Sequence, residues 1–134
     1  MFKLYYESIE MVMTEEEQKL AKILVTSNIP RSVAFTLVYT RGKEEVTSVE
    51  IERETGLRQP EVSIAMQWLR RKGWINKRNM KKEGKGRPVH GYRLSKDFDE
   101  IIEEIIQEQT DKIKEIQENI KELNNFKSNF AVTH

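Results

Sequence analysis

The chain has 134 residues, enough for one compact domain with an appendage. It contains no cysteine, which excludes disulfides and thiolate metal sites, and its two histidines, His90 and His134, stand far apart, which argues against a histidine metal centre. The net charge is only +1, yet residues 58–96 hold 12 basic and 2 acidic side chains, against 7 and 10 in residues 1–57 and 4 and 10 in residues 97–134, so the positive charge is confined to one central block.

No apolar run approaches the roughly 20 residues of a membrane span. The start, MFKLYYESIE, turns acidic without an apolar core, so no secretory leader is expected there. No membrane partner and a cytoplasmic location are the expectation.

In chain order, Thr14-Glu15-Glu16-Glu17 fits a capping box and opens a predicted helix over about 14–26, with Leu20, Ile23 and Leu24 at helical spacing. Pro30 suits a first turn, and Val33, Ala34, Leu37 and Val38 give a second helix over about 30–40. Thr47-Ser48-Val49-Glu50 is another capping-box match, starting a short helix to Thr55 that Gly56 ends in the left-handed conformation. Leu57 plugs inward. Pro60 then sits in the first turn of a helix to about Lys72, with Val62, Ala65, Met66 and Leu69 on one face and Gly73 after its end.

Trp74 to Met80 and Val89 to Leu94 read as two strands joined by the polar, glycine-rich KKEGKG, a β-hairpin with a basic tip. From Ser95, read as an N-cap, a long helix begins. Ile102, Ile106, Gln109, Ile113, Ile116, Ile120 and Leu123 follow alternating steps of four and three, about three heptads of coiled-coil seam amid Glu, Lys, Asp and Gln. A helix of about 30 residues is roughly 45 Å long, too long and too narrowly apolar for its own domain to cover. These expectations divide the chain into residues 1–94 with an N-terminal helical extension, a dimerisation helix 95–127, and a disordered tail 128–134.

The order helix, helix, short helix, glycine turn, helix, hairpin is that of a winged helix-turn-helix. The stretch TSVEIERETGLRQPEVSIAMQWLRRKGWI, with GRPVHGYRL returning from the wing, resembles MarR-type, ArsR-type and TrmB-type regulators, in particular small archaeal ones, over about residues 30–94. The resemblance implies a mostly α fold with a small β-hairpin (α+β) and binding to double-stranded DNA.

The residues support that reading. In a recognition helix one face is buried and another meets the major groove. Arg58, Gln59, Glu61, Ser63 and Gln67 are the candidates for base contact: Gln can pair with adenine, Arg with guanine, and Glu can accept from cytosine. Their plain alternative is polar surface. Ile64 and Trp68 stand where such helices often carry polar or basic residues. Either they touch a thymine methyl or sugar, or they pack against another helix; packing is the simpler reading, with Trp68 the candidate for a terminal helix.

Arg70 and Arg71, like Lys72, serve as backbone contacts or complement the helix dipole. In the wing, Lys77, Arg78, Lys81, Lys82, Lys85 and Arg87 face only Glu83, a density of like charge that polyanions relieve. Lys85-Gly86-Arg87-Pro88 resembles the Arg-Gly-Arg-Pro centre of minor-groove hooks. His90 reads as a strand surface residue.

Enzyme chemistry is not expected. GKGRP lacks the phosphate-loop spacing, no serine has a plausible histidine partner, and acids such as Glu103 and Glu104 belong to a solvated helix face. No cofactor or metal is implied, and no small-molecule effector can be identified from the sequence. The preferred reading is a homodimeric, sequence-specific DNA-binding transcription regulator joined through the C-terminal helix. The alternatives are a winged-helix interaction module of a larger assembly and a weakly specific architectural DNA-binding protein.

Overall fold

The computed structural model describes residues 13–80 and 89–133. Residues 1–12 of the expected N-terminal extension, the wing-tip residues Lys81, Lys82, Lys85 and Arg87, and His134 lie outside the described residues. The order is α1 (Glu15–Thr26), α2 (Arg31–Thr40), β1 (Val46–Thr47), α3 (Ser48–Thr55), α4 (Gln59–Arg71), β2 (Ile75–Met80), β3 (Val89–Leu94) and α5 (Phe98–Thr133). The chain divides into two compact units, residues 1–98 and 99–134.

Local chemistry sets most boundaries in the first unit. The capping box of α1 is formed in both directions, with Glu17 N–H donating to Thr14 Oγ1 at 3.1 Å and Thr14 N–H donating to Glu17 Oε1 at 3.1 Å. Pro30 stands just ahead of α2 as its N-cap. At α3 only half of the expected box exists. Thr47 Oγ1 accepts from Glu50 N–H at 3.1 Å, but the Glu50 carboxylate accepts from the Tyr39 hydroxyl at 2.6 Å and so ties α3 to α2.

Gly56 takes φ 77°, where a side chain would be strained, and closes α3. Thr55 completes that turn: its buried hydroxyl donates to the Ile51 carbonyl and accepts from the Leu57 N–H at 3.2 Å. Gly73, at φ 76°, likewise releases the chain from α4 into β2.

Helix α2 is the centre of this unit. It packs against α1, α3 and α4, and every residue from Val33 to Val38 is buried, Phe35 and Thr36 included. A helix buried on nearly all sides has no single apolar face to read. Around it lie Leu24, Ile29, Ile51, Leu57, Val62, Met66, Leu69, Trp74 and Ile75, all buried.

The hairpin is a three-stranded antiparallel sheet of order β1-β3-β2. β2 and β3 pair from Ile75↔Leu94 to Met80↔Val89, as expected. The additional strand β1 pairs Val46 with Tyr92 and Thr47 with Gly91. Ser95 does not cap the last helix. Its N–H donates to the Trp74 carbonyl at 2.9 Å and its hydroxyl to the Gly73 carbonyl, so it fastens the end of β3 to the turn after α4, and α5 starts three residues later, at Phe98.

In the second unit α5 continues to Thr133, so residues 128–133, expected as a disordered tail, are helical. Ile106, Ile113, Ile116, Ile120 and Leu123 of the seam are 51, 56, 48, 54 and 67% exposed. Ile102 and Gln109 are half-buried. Ile101 and Ile105, outside the seam, are buried.

The Tyr39–Glu50 bond gives a pH signature. Burial first, and then the hydrogen bond to Glu50, raise the Tyr39 hydroxyl well above its ordinary value of 10. The folded chain keeps a proton that the unfolded chain releases. The stabilisation is therefore complete below about pH 10 and is lost as pH rises above it. Tyr39→Phe is expected to lower stability at neutral pH and to flatten that alkaline decline, checked by urea unfolding at a series of pH values. An unchanged alkaline slope counts against this role.

Candidate nucleic-acid interface

Helix α4 carries the candidate base-reading residues. Val62, Ala65, Met66 and Leu69 are buried, which turns Gln59, Pro60, Ser63, Ile64, Gln67, Arg70 and Arg71 outward, all of them exposed. Arg58 is exposed at the N-cap. Glu61 is half-buried, and its carboxylate accepts from the Arg58 N–H at 3.0 Å. That cap holds Glu61 at the helix end and places it apart from the outward residues.

The 3.6-residue repeat divides the outer face. Pro60, Ile64, Gln67 and Arg71 form a ridge opposite the core. Gln59 and Ser63 lie on one flank and border a cleft of about 250 Å³, lined also by Ser48, Glu52, Val62, Lys77, His90 and Tyr92. Helix α4 and the hairpin therefore share one concave surface, closed at its far side by α3. Gln59 and Ser63 are brought together with Lys77 in this cleft.

Ser48, Glu52 and Tyr92 were not expected at this surface from the sequence. Their place in the cleft follows from pairings between distant segments, which leave no local signal. His90, expected on the strand surface, is half-buried in the same wall. Burial raises the Tyr92 hydroxyl above its ordinary value, and the positive charge of Arg70 works in the opposite direction. Lys77 and Arg78 are exposed on β2.

Trp68 has a partner in its own unit. Its ring meets Trp74 edge-on, with centroids 5.6 Å apart and planes at 64°. The Lys72 ammonium lies 5.6 Å from the Trp68 ring and 5.4 Å from the Trp74 ring. The half-buried Trp68 thus belongs to the joint between α4 and β2. Ile64, by contrast, is 61% exposed.

Three helices, a glycine turn before α4, and a β2–β3 hairpin completed by β1 define the architecture. This is a winged helix-turn-helix. Solved structures carry the same winged-helix fold at low sequence identity. TrmBL2, an archaeal chromatin protein, aligns with a TM-score of 0.61 at 18% identity over 81% of this chain and 39% of its own. This chain thus spans well under half of that protein. A possible transcriptional regulator from Methanosarcina mazei aligns with a TM-score of 0.52 at 17% identity, over 78% of this chain and 86% of its own. The multiple antibiotic resistance repressor MarR aligns with a TM-score of 0.50 at 21% identity, over 84% and 80%. No protein-family model and no curated protein matches the sequence. Among the described residues of this winged helix, no helix is long and apolar enough to cross a membrane.

Proposed function

We propose that this winged helix is a sequence-specific double-stranded DNA-binding transcription regulator that acts as a homodimer. The observation that carries the reading is the shared cleft: exposed Gln59 and Ser63 of α4 meet Lys77 of the hairpin within the block of 12 basic and 2 acidic residues from 58 to 96. Helix α4 enters the major groove, where Arg58, Gln59, Ser63 and Gln67 reach base edges. Arg70, Arg71, Lys77 and Arg78 lie along the phosphates. Lys81, Lys82, Lys85 and Arg87 add charge from the wing, which gains affinity through counterion release. Glu61 acts mainly as the helix cap and contributes little to readout.

Two copies join through Ile102, Ile106, Gln109, Ile113, Ile116, Ile120 and Leu123 of α5. An exposed stripe of this kind on a long polar helix calls for an apolar partner. Two joined recognition helices reach successive major grooves of a palindromic site.

A weakly specific architectural role is the second reading, favoured by the likeness to TrmBL2, whose structure is described as that of a chromatin protein with a novel mode of DNA binding. The two readings separate in one titration. Lys85→Ala with Arg87→Ala is expected to weaken binding to every duplex alike, roughly 10²- to 10³-fold at about 0.1 M salt, and to reduce the salt slope by about 4, because each change occurs in both chains of the dimer. Gln59→Ala is expected to change which sequences are preferred. If both variants act alike on all sequences, the architectural reading stands and α4 is not a base reader. If the wild type binds no duplex at low salt, both readings fail and an interaction module remains.

A further inference from the structure

The outer ridge of α4 contains one residue that neither hydrogen bonding nor the core accounts for. Ile64 is 61% exposed, lies opposite the buried Val62, Ala65, Met66 and Leu69, and is followed on its ridge by the exposed Gln67 and Arg71. We propose that Ile64 is a specificity-determining residue that reads the C5-methyl group of a thymine in the major groove. The inference rests on the DNA-binding reading above and adds the chemistry of one base contact to it.

The argument is one of matching groups. The major-groove edge of each base pair offers donors, acceptors and, on thymine alone, an apolar methyl. Gln67 and Arg71 suit the donors and acceptors. An isoleucine beside them can satisfy neither donors nor acceptors and would desolvate them without return. It gains only where the groove presents carbon. Its β-branched side chain is stiff at χ1 in a helix, so little rotamer freedom is lost when its methyl groups meet the thymine methyl.

A protein partner is a poor occupant for this spot. A stable protein interface covers about 800 Å² on each side, whereas Ile64 is the sole large apolar residue counted as exposed on this helix. The other anomalous residue, Trp68, is already engaged with Trp74. The two positions that stood together in the sequence therefore separate: one belongs to the joint with the hairpin, the other to the groove-facing ridge.

The test uses the full chain and deoxyuridine, which differs from thymidine by that methyl alone. Duplexes enriched by the wild type from a random pool are resynthesised with each thymine replaced in turn. At one position per half-site, uridine is expected to weaken wild-type binding about four-fold, the loss for one buried methyl-sized group. Ile64→Ala is expected to bind the thymine duplex correspondingly more weakly and to be indifferent to uridine there. Ile64→Val retains two side-chain methyls and is expected to keep part of the sensitivity. Alanine is a strong helix former and the site is exposed, so the variant folds.

A uridine effect equal in wild type and Ile64→Ala, or no sensitive position, overturns the inference while leaving DNA binding intact. Binding without any enriched sequence also overturns it and favours the architectural reading. Failure to bind any duplex removes the parent reading and this one with it.

Discussion

Ile113→Asp combined with Ile116→Asp is expected to convert the protein to a monomer and to lower its affinity for a two-half-site duplex by a factor of roughly 10² to 10⁴. The two isoleucines stand 56 and 48% exposed at the middle of the α5 stripe. In a paired seam each is enclosed by side chains of the facing helix. Two carboxylates per chain would put four charges into that enclosure, and desolvating a charge without a partner is far more costly than leaving it in water. In the monomer the same carboxylates remain hydrated, so the equilibrium shifts without unfolding the winged unit. Light scattering gives the mass and duplex titration the affinity. A dimer that persists in the double variant would place the interface elsewhere. A monomeric wild type would remove the stripe as an interface altogether.

Trp74→Ala is expected to cost about 3–5 kcal/mol of folding stability, a large share of the 5–15 kcal/mol typical of a domain. Trp74 is fully buried at the point where α4 gives way to β2. Its backbone N–H donates to the Leu69 carbonyl at 3.0 Å, and its carbonyl accepts from the Ser95 N–H at 2.9 Å. The indole fills the space between helix and hairpin, and alanine leaves most of that volume empty. Trp74→Phe is the informative companion. The indole nitrogen is buried without a hydrogen-bond partner among the described residues, so phenylalanine forfeits none of their bonds and removes a desolvated donor. It is expected to retain most of the stability. Urea denaturation of the three proteins decides it: equal losses for Ala and Phe would mean that the ring nitrogen has a partner after all.

Much of this fold was legible because its signals are local. Thr14 and Glu17, Thr47 with the Glu50 amide, Gly56 and Gly73 each set a boundary within four residues of themselves, and all four boundaries are where they were expected. The same reading failed wherever a side chain answers to a distant segment. Glu50 completes a capping-box pattern in sequence, yet Tyr39 captures its carboxylate. Ser95 resembles an N-cap, yet it serves the turn at Gly73. Strand β1 is two residues long and exists only through Tyr92 and Gly91, so no periodicity marks it.

The candidate interface divides in the same way. Gln59, Ser63, Gln67 and Arg71 point outward because the buried positions of α4 are fixed by helical spacing. That Gln59 and Ser63 share a cleft with Lys77, His90 and Glu52 depends on how α3, α4 and the sheet pack. Spacing also marked Ile64 and Trp68 as unusual without separating them. Burial does so, because only Trp68 has an aromatic partner within reach.

That aromatic pair has an optical consequence. Trp68 and Trp74 are the two tryptophans of the chain, and both sit at the joint between helix and hairpin, with the Lys72 ammonium 5.6 and 5.4 Å from their rings. All indole fluorescence of the protein therefore originates at one junction. Any rotation of α4 against β2 changes the distance between emitters and charge, so the unlabelled protein carries its own spectroscopic gauge of how helix and hairpin move together.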